Sequence, residues 1–320
     1  MPLIDMPLEK LKIYRGTNPK PVDFDQYWDR ALVEMNSLSK EYVLIKSEFQ
    51  TKTVECYHLY FTGISGAKIH VKFMKPKIAS FKHAAVIKFH GYTGQSGDWT
   101  GLLSLASLGH SVFAMDVRGQ AGLSEDVGGV RGNTHHGHII RGLEEEDPNK
   151  LFFRDVFLDA AQLLAIVRQM DHIDESRIAT TGWSQGGALA LACAALVPDV
   201  KKVATVYPFL SDYKRVWEMD LTVGAYRELR SYFRFFDPEH KKEEKVFEKL
   251  GYIDVQHLAE RIKAEVHIGV GLMDSICPPS TQYAIYNKIQ SEKQIYIYPD
   301  FEHEDLPGHS DKIHQFLEQL

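Results

Sequence analysis

The stretch Gly182-Trp183-Ser184-Gln185-Gly186-Gly187 (GWSQGG) decides how this chain is read. The pattern G-x-S-x-G is weak alone, since a random chain of this length contains it about one time in ten. Its flanks give it meaning. The β-like run Arg177–Thr181 leads straight into Gly182, and the Ala-rich helical stretch Gly187–Leu196 follows at once. Strand, sharp turn and helix together expose a serine hydroxyl at the end of a sheet. The glycines two residues either side of Ser184 have a steric reason, because a chain that doubles back so tightly has no room for a Cβ. The following helix offers its free N–H groups and positive dipole end to negative charge developing beside Ser184. The stretch therefore predicts a nucleophile elbow.

Outward from the elbow, short apolar runs recur. Ala84–Phe89, Ser111–Ala114, Val203–Tyr207, Val266–Val270 and Ile295–Tyr298 each end in polar, Gly or Pro punctuation. Helical patterns separate most of them, most clearly Asp155–Met170, with Val156, Ala160, Leu163, Leu164 and Val167 on one side. Near-continuous apolar strands alternating with helices predict an α/β fold, a mostly parallel central sheet with helices on both faces. Upstream, Val54–Thr62 and Lys68–Lys75 flank the turn Gly63–Gly66 and predict an antiparallel hairpin at the leading edge of the sheet. Asp23–Met35 reads as a helix, with Phe24, Trp28, Leu32 and Met35 on one face. We expect one domain over residues 1–320, with an N-terminal extension over about 1–50. Two segments break the rhythm. Gln120–Asn149 is Gly-, His- and Glu-rich and reads as a long functional or interface loop. Residues 211–255 are charged and aromatic helix inserted where open α/β sheets bind ligands, and read as a cap insertion; an ordinary pair of surface helices is the alternative.

Composition narrows the function. The 320 residues, 44% hydrophobic, support a large core. Charges are mixed, the net is -6, and no basic stripe invites nucleic acid. The opening MPLIDMPLEKLKIY is broken by charges and lacks the apolar region of a signal peptide. The longest apolar run, near Ala188–Val197, is too short to span a membrane. Cys56, Cys193 and Cys277 have no metal spacing and no disulfide framework. The expectation is a soluble, cytoplasmic protein.

A serine hydroxyl needs a base, which in this arrangement follows in the order Ser, Asp/Glu, His. Asp274 follows the strand-like run ending at Leu272, and His303 follows Ile295–Tyr298. Asp300 and Glu302 are rival acids, but both sit too close in sequence to reach the far side of the His303 ring. Two N–H donors should hold an oxyanion. One is the backbone N–H of Gln185, and the other comes from His90-Gly91-Tyr92-Thr93-Gly94, with Tyr92 preferred over Gly91. Tyr92, Phe209 and Cys277 are the expected walls of a short acyl pocket. Cys277 lacks elbow glycines and reads as a buried or pocket-lining thiol rather than a nucleophile. His135-His136-Gly137-His138 could ligate a metal, but H-H-x-H is not H-E-x-x-H, and a solvated or interface loop is the preferred reading.

Five patches then carry a resemblance. Arg118-Gly119-Gln120, GWSQGG, Tyr207-Pro208-Phe209-Leu210-Ser211, Gly271-Leu272-Met273-Asp274 with Pro278-Pro279-Ser280-Thr281, and His303-Glu304 resemble the cephalosporin C deacetylase and acetyl xylan esterase family of carbohydrate esterases. The resemblance covers nearly the whole chain. It implies an α/β-hydrolase fold and a serine esterase that removes acetyl groups from xylo-oligosaccharides and cephalosporin C through an acetyl-serine intermediate. It maps a triad onto Ser184, Asp274 and His303, and oxyanion donors onto the N–H groups of Tyr92 and Gln185. It also implies intracellular homo-hexamers, with Arg118 and Gln120 bracing loops near the site. The sequence departs from that pattern at His138, where relatives tend to carry a tryptophan. The chemistry so read needs no cofactor and no metal. A broader carboxylesterase, thioesterase or peptidase on the same fold, or a non-catalytic scaffold, are the alternatives.

Overall fold

The computed structural model describes residues 4–77, 81–127 and 136–320. Among the described residues one sheet of nine strands runs through the molecule. The strands are β1 (Tyr42–Lys46), β2 (Val54–Thr62), β3 (Lys68–Pro76), β4 (His83–Phe89), β5 (Ser111–Met115), β6 (Ile173–Trp183), β7 (Lys202–Val206), β8 (Glu265–Gly271) and β9 (Lys293–Tyr298). Their spatial order is β1-β2-β3-β5-β4-β6-β7-β8-β9. The β1–β2, β2–β3 and β3–β5 pairings are antiparallel, and the remaining five are parallel. This is the α/β architecture expected, and each apolar run named above lies in a strand, save that β7 stops one residue short of Tyr207.

The burial pattern explains why those runs were legible. Every residue of β5 and β7 is buried, so both faces demand apolar side chains. The Gln185–Leu196 helix is likewise buried all round and packs against β4, β6 and β7. The Phe152–Val167 helix packs beside it. The helix foreseen at Asp23–Met35 forms as Phe24–Asn36 and lies on the Phe152–Val167 helix, with Trp28 stacked on Phe157 at 5.9 Å. The indole N–H of Trp28 donates to the Tyr252 carbonyl at 3.0 Å, tying the N-terminal part of the chain to the insertion after β7.

The leading edge differs from expectation. It is β1, not the β2–β3 hairpin, that ends the sheet. All five of its residues are exposed, so Tyr42-Val43-Leu44-Ile45-Lys46 has no buried face to impose an alternating pattern.

The chain runs from β4 to β5 on one side and then returns to place β6 on the other side of β4. Neighbouring loops part at such a switch point and leave a crevice above the C-terminal strand ends. Register confirms the level: Phe89 lies beside Gly182, Gly182 beside Thr205, and Gly271 beside Tyr298. The insertion between β7 and β8 contains the helices Tyr213–Glu218, Arg227–Phe236 and Glu243–Leu250. No helix among the described residues is long and apolar enough to cross a membrane.

Arg118, just after β5, is buried. Its Nε and Nη2 donate to the two carboxylate oxygens of Asp159 at 2.6 and 2.7 Å. Nη1 reaches Asp155 at 3.1 Å and Nη2 the Ile64 carbonyl at 2.9 Å. One guanidinium thus joins the β5 loop, the Phe152–Val167 helix and the hairpin turn. Removing its main partner takes two charge-assisted hydrogen bonds from the buried guanidinium and leaves it Asp155, so Asp159→Ala should cost about 3 kcal/mol of stability, the low end for a broken buried pair. A urea-unfolding midpoint equal to that of the unmodified protein would contradict this bracing role.

Candidate active site

Ser184 sits between the end of β6 and the first turn of the Gln185–Leu196 helix, with φ 56° and ψ -119°. A residue with a Cβ holds that conformation only when its surroundings impose it. Three backbone hydrogen bonds do so. The Ser184 N–H donates to Val206 O at 3.0 Å, and its carbonyl accepts from Ala188 N at 3.0 Å and Phe209 N at 3.1 Å. The glycines are required by contact. A Cβ on Gly182 would lie 2.3 Å from the Gly186 carbonyl carbon, and one on Gly186 would lie 2.1 Å from Phe89 O.

Asp274 follows β8 in a tight turn, and its carboxylate is fully buried. Oδ1 accepts the N–H groups of Ile276 at 2.9 Å and Cys277 at 2.8 Å. Oδ2 lies 2.9 Å from His303 Nδ1. The local turn fixes one oxygen and so aims the other at the imidazole. Asp274, rather than the exposed Asp300 or Glu302, is the carboxylate bonded to this histidine. The Tyr207 ring packs against the His303 imidazole, with centroids 4.2 Å apart. Ser184 and His303 line a common cavity of about 540 Å³.

The loop after β4 is braced from both sides. His90 Nδ1 lies 2.8 Å from Gly91 O, and His90 Nε2 accepts the Val117 N–H at 2.9 Å. This places the ring proton on Nδ1, and burial lowers the histidine's pKa, favouring that neutral form. The side chains of Gln120 and Gln185 form two reciprocal amide hydrogen bonds, at 2.7 and 3.0 Å. Gln185 Nε2 also approaches the carbonyls of His90 and Gly91 at 3.4 and 3.5 Å. The glutamines of the R-G-Q and G-W-S-Q-G motifs therefore hold each other, a pairing across 65 positions that neither motif announces.

Tyr92 and Phe209 both line the cavity, with ring centroids 5.8 Å apart. Cys277 does not line it; Ile276 does. The Cys277 side chain is fully buried, and its thiol is pushed up by burial. Asp274, Cys277 and His303 bring three potential ligand atoms within 4.8 Å of one another. A metal-binding thiol needs a lowered pKa, and His303 Nδ1 is already engaged by Asp274, so the donor set suits proton chemistry better than an ion. Of the histidine run, His136 lines the cavity, His138 is buried with its ring stacked on Phe152, and His135 lies outside the described residues. Arg227 and Ala225 from the insertion also reach the cavity. Nothing in their local sequence distinguishes them from other residues of a charged helical segment.

Residues 1–320 match the acetyl xylan esterase (AXE1) family. The chain belongs to this family. It is a family of carboxylic ester hydrolases. The acetyl xylan esterase 1 structure from Thermoanaerobacterium sp. JW/SL YS485 is 57% identical, with a TM-score of 0.95 over 98% of this chain and 99% of that one. An acetyl xylan esterase from Paenibacillus sp. R4 is 35% identical, with a TM-score of 0.89 over the same shares. The acetyl esterase Axe7A of Xylanibacter ruminicola is 26% identical over 309 residues. That match takes in 92% of this chain but spans only 65% of the relative's length.

The contact at Gly186 yields a direct check. Gly186→Ala must push the elbow away from β4, and overpacking of this kind costs about 1–3 kcal/mol or more. Thermal unfolding should show a clear loss of stability, whereas an unchanged midpoint would mean that the turn is not closed by this contact.

Proposed function

We propose that this protein is a serine esterase that hydrolyses acetyl esters of small carbohydrates, acetylated xylo-oligosaccharides foremost, and that also takes the acetyl ester of cephalosporin C. The observation that carries the reading is the Asp274–His303 hydrogen bond in a cavity shared with the strained Ser184. Membership of the acetyl xylan esterase family supports the ester class.

In this mechanism Ser184 Oγ attacks the acetyl carbonyl while His303 Nε2 accepts its proton. Asp274 Oδ2 keeps the imidazole proton on Nδ1 and stabilises the imidazolium that forms. The backbone N–H groups of Tyr92 and Gln185 receive the oxyanion. The first N–H groups of a helix have no intrahelical partner, so the Gln185 donor is available without a rearrangement. Each such donor is worth about 3–4 kcal/mol in the transition state. The sugar alcohol leaves with the proton from His303. Water, activated by the same histidine, then releases acetate from the acetyl-serine. No step calls for a cofactor.

Tyr92, Phe209 and Ile276 line the cavity that receives the acyl group. Cys277 sits behind them, so its role in this reading is to pack beneath Ser184. A homo-hexamer and a cytoplasmic location belong to the same reading. The exposed Val43, Leu44 and Ile45 of the edge strand are compatible with coverage by another copy.

Two sets of measurements test it. Ser184→Ala should lower kcat on acetylated xylo-oligosaccharides by roughly 10⁴-fold or more, and Asp274→Asn by roughly 10⁴-fold, with the fold intact by circular dichroism. Turnover retained in Ser184→Ala would refute the nucleophile. Across acyl chain length, butyryl esters should react at least roughly tenfold more slowly than acetyl esters; equal rates would rule out a short acyl pocket. Comparable rates on thioester or peptide substrates would favour a broader hydrolase.

A further inference from the structure

The reaction just described leaves unused a buried carboxylate bonded to the cavity-lining Tyr92. Glu228 is the second residue of the Arg227–Phe236 helix and only 7% exposed. Its Oε1 accepts the phenolic O–H of Tyr92. Its Oε2 accepts the Ile139 N–H at 2.8 Å, and the backbone N–H of Gly137 donates to the same carboxylate. The Tyr92 oxygen in turn accepts the His138 N–H at 3.3 Å. One side chain therefore fastens three separate segments: the insertion after β7, the loop after β4, and the stretch 137–139.

The charge balance is unusual for packing alone. No lysine, arginine or histidine forms an ion pair with Glu228 among the described residues, so neutral donors hold it. Burial pushes its pKa up, outweighing its hydrogen bonds and the pull of nearby His136. An apolar side chain would fill the space without that cost. What a carboxylate adds is direction, because it places three donors at fixed angles.

Tyr92 is the residue through which that direction reaches the chemistry. Its ring is packed between Phe209, at 5.8 Å, and His138, at 5.6 Å. Its phenol is held by Glu228, so the side chain is anchored along its whole length. The backbone beside it turns sharply, with Thr93 at φ 57° and the Gly94 N–H on Gly91 O at 3.1 Å. A loop of this kind can pivot unless something outside it is gripped.

We infer that Glu228 is a positioning residue for the ester hydrolysis: by holding the Tyr92 phenol it sets the place of the Tyr92 backbone N–H that receives the oxyanion, and it locks the inserted helix over the acyl pocket. The inference rests on the serine-esterase reading above. It assigns Glu228 no contact with substrate and no proton transfer. Its signature is a loss in kcat with KM little changed, since a displaced oxyanion donor weakens the transition state and not the bound ester.

The test is a double-mutant cycle in the full-length protein, with p-nitrophenyl acetate as substrate and active sites counted by a serine-reactive phosphonate. Glu228→Leu keeps much of the bulk but can neither accept nor donate, so the phenol loses its partner. Tyr92→Phe removes the phenol and keeps the ring and the backbone N–H. Each single variant should lose about tenfold in kcat per active site at near-constant KM, as small misplacement of a transition-state donor does. The double variant should be no worse than the weaker single one, because both changes break the same link. Single variants with unchanged kcat per active site, or losses that multiply in the double variant, overturn the proposal. If Glu228→Leu does not fold, Tyr92→Phe alone decides, since unchanged kcat there removes the link. Ser184→Ala run beside them separates the two levels. Turnover that does not depend on Ser184 refutes the esterase reading itself, whereas serine-dependent turnover indifferent to Glu228 and Tyr92 refutes only the positioning role.

Discussion

The backbone at Ser184 is the constraint on which the rest of the structure depends. Held at φ 56° by hydrogen bonds from two directions, it forces β6 to reverse into a helix within a single residue. That reversal is possible only where Gly186 passes against Phe89 O with no side chain between them. The parallel sheet supplies the fixed partners, since Val206 on β7 and Phe89 on β4 flank the turn. Strain at one residue is thus sustained by a core that could not relax it without losing strand pairing.

The Asp274–His303 pair is built on a different device. Asp274 is fully buried, yet two backbone N–H groups from its own turn and the His303 ring satisfy its oxygens. A buried carboxylate so held has one orientation available, and the imidazole takes its tautomer from it. Tyr207 packs against the histidine ring, while the reciprocal Gln120–Gln185 amides and His90 steady the opposite wall. The proposed catalytic groups are set by short local turns at strand ends, and longer-range side-chain bonds hold those turns in register with one another.

This division also explains what could be read from the sequence. The strands were legible because β5 and β7 are buried on both faces, and burial leaves an apolar run. Ser184, Asp274 and His303 were legible as candidates because each follows a strand end, a local signal. The edge strand β1 was not, because exposure on both faces removes the pattern. Glu228 was equally hidden: it is the one acid of a helix rich in Arg and aromatic residues, and only the fold reveals that it turns inward toward Tyr92. Ile276 rather than Cys277 faces the cavity for a related reason. The turn that binds Asp274 Oδ1 determines which of two adjacent side chains points inward, and composition does not encode that choice.

The central claim is that Ser184 is acylated, with the neighbouring Cys277 thiol kept protonated and inert by burial. The most direct measurement is to acid-quench the protein during turnover of an acetyl ester and locate the acetyl group by peptide mass spectrometry. The account predicts a transient acetyl group on Ser184 that disappears as substrate is exhausted. An acetyl group found on Cys277, or none on Ser184 at any time during turnover, would contradict it.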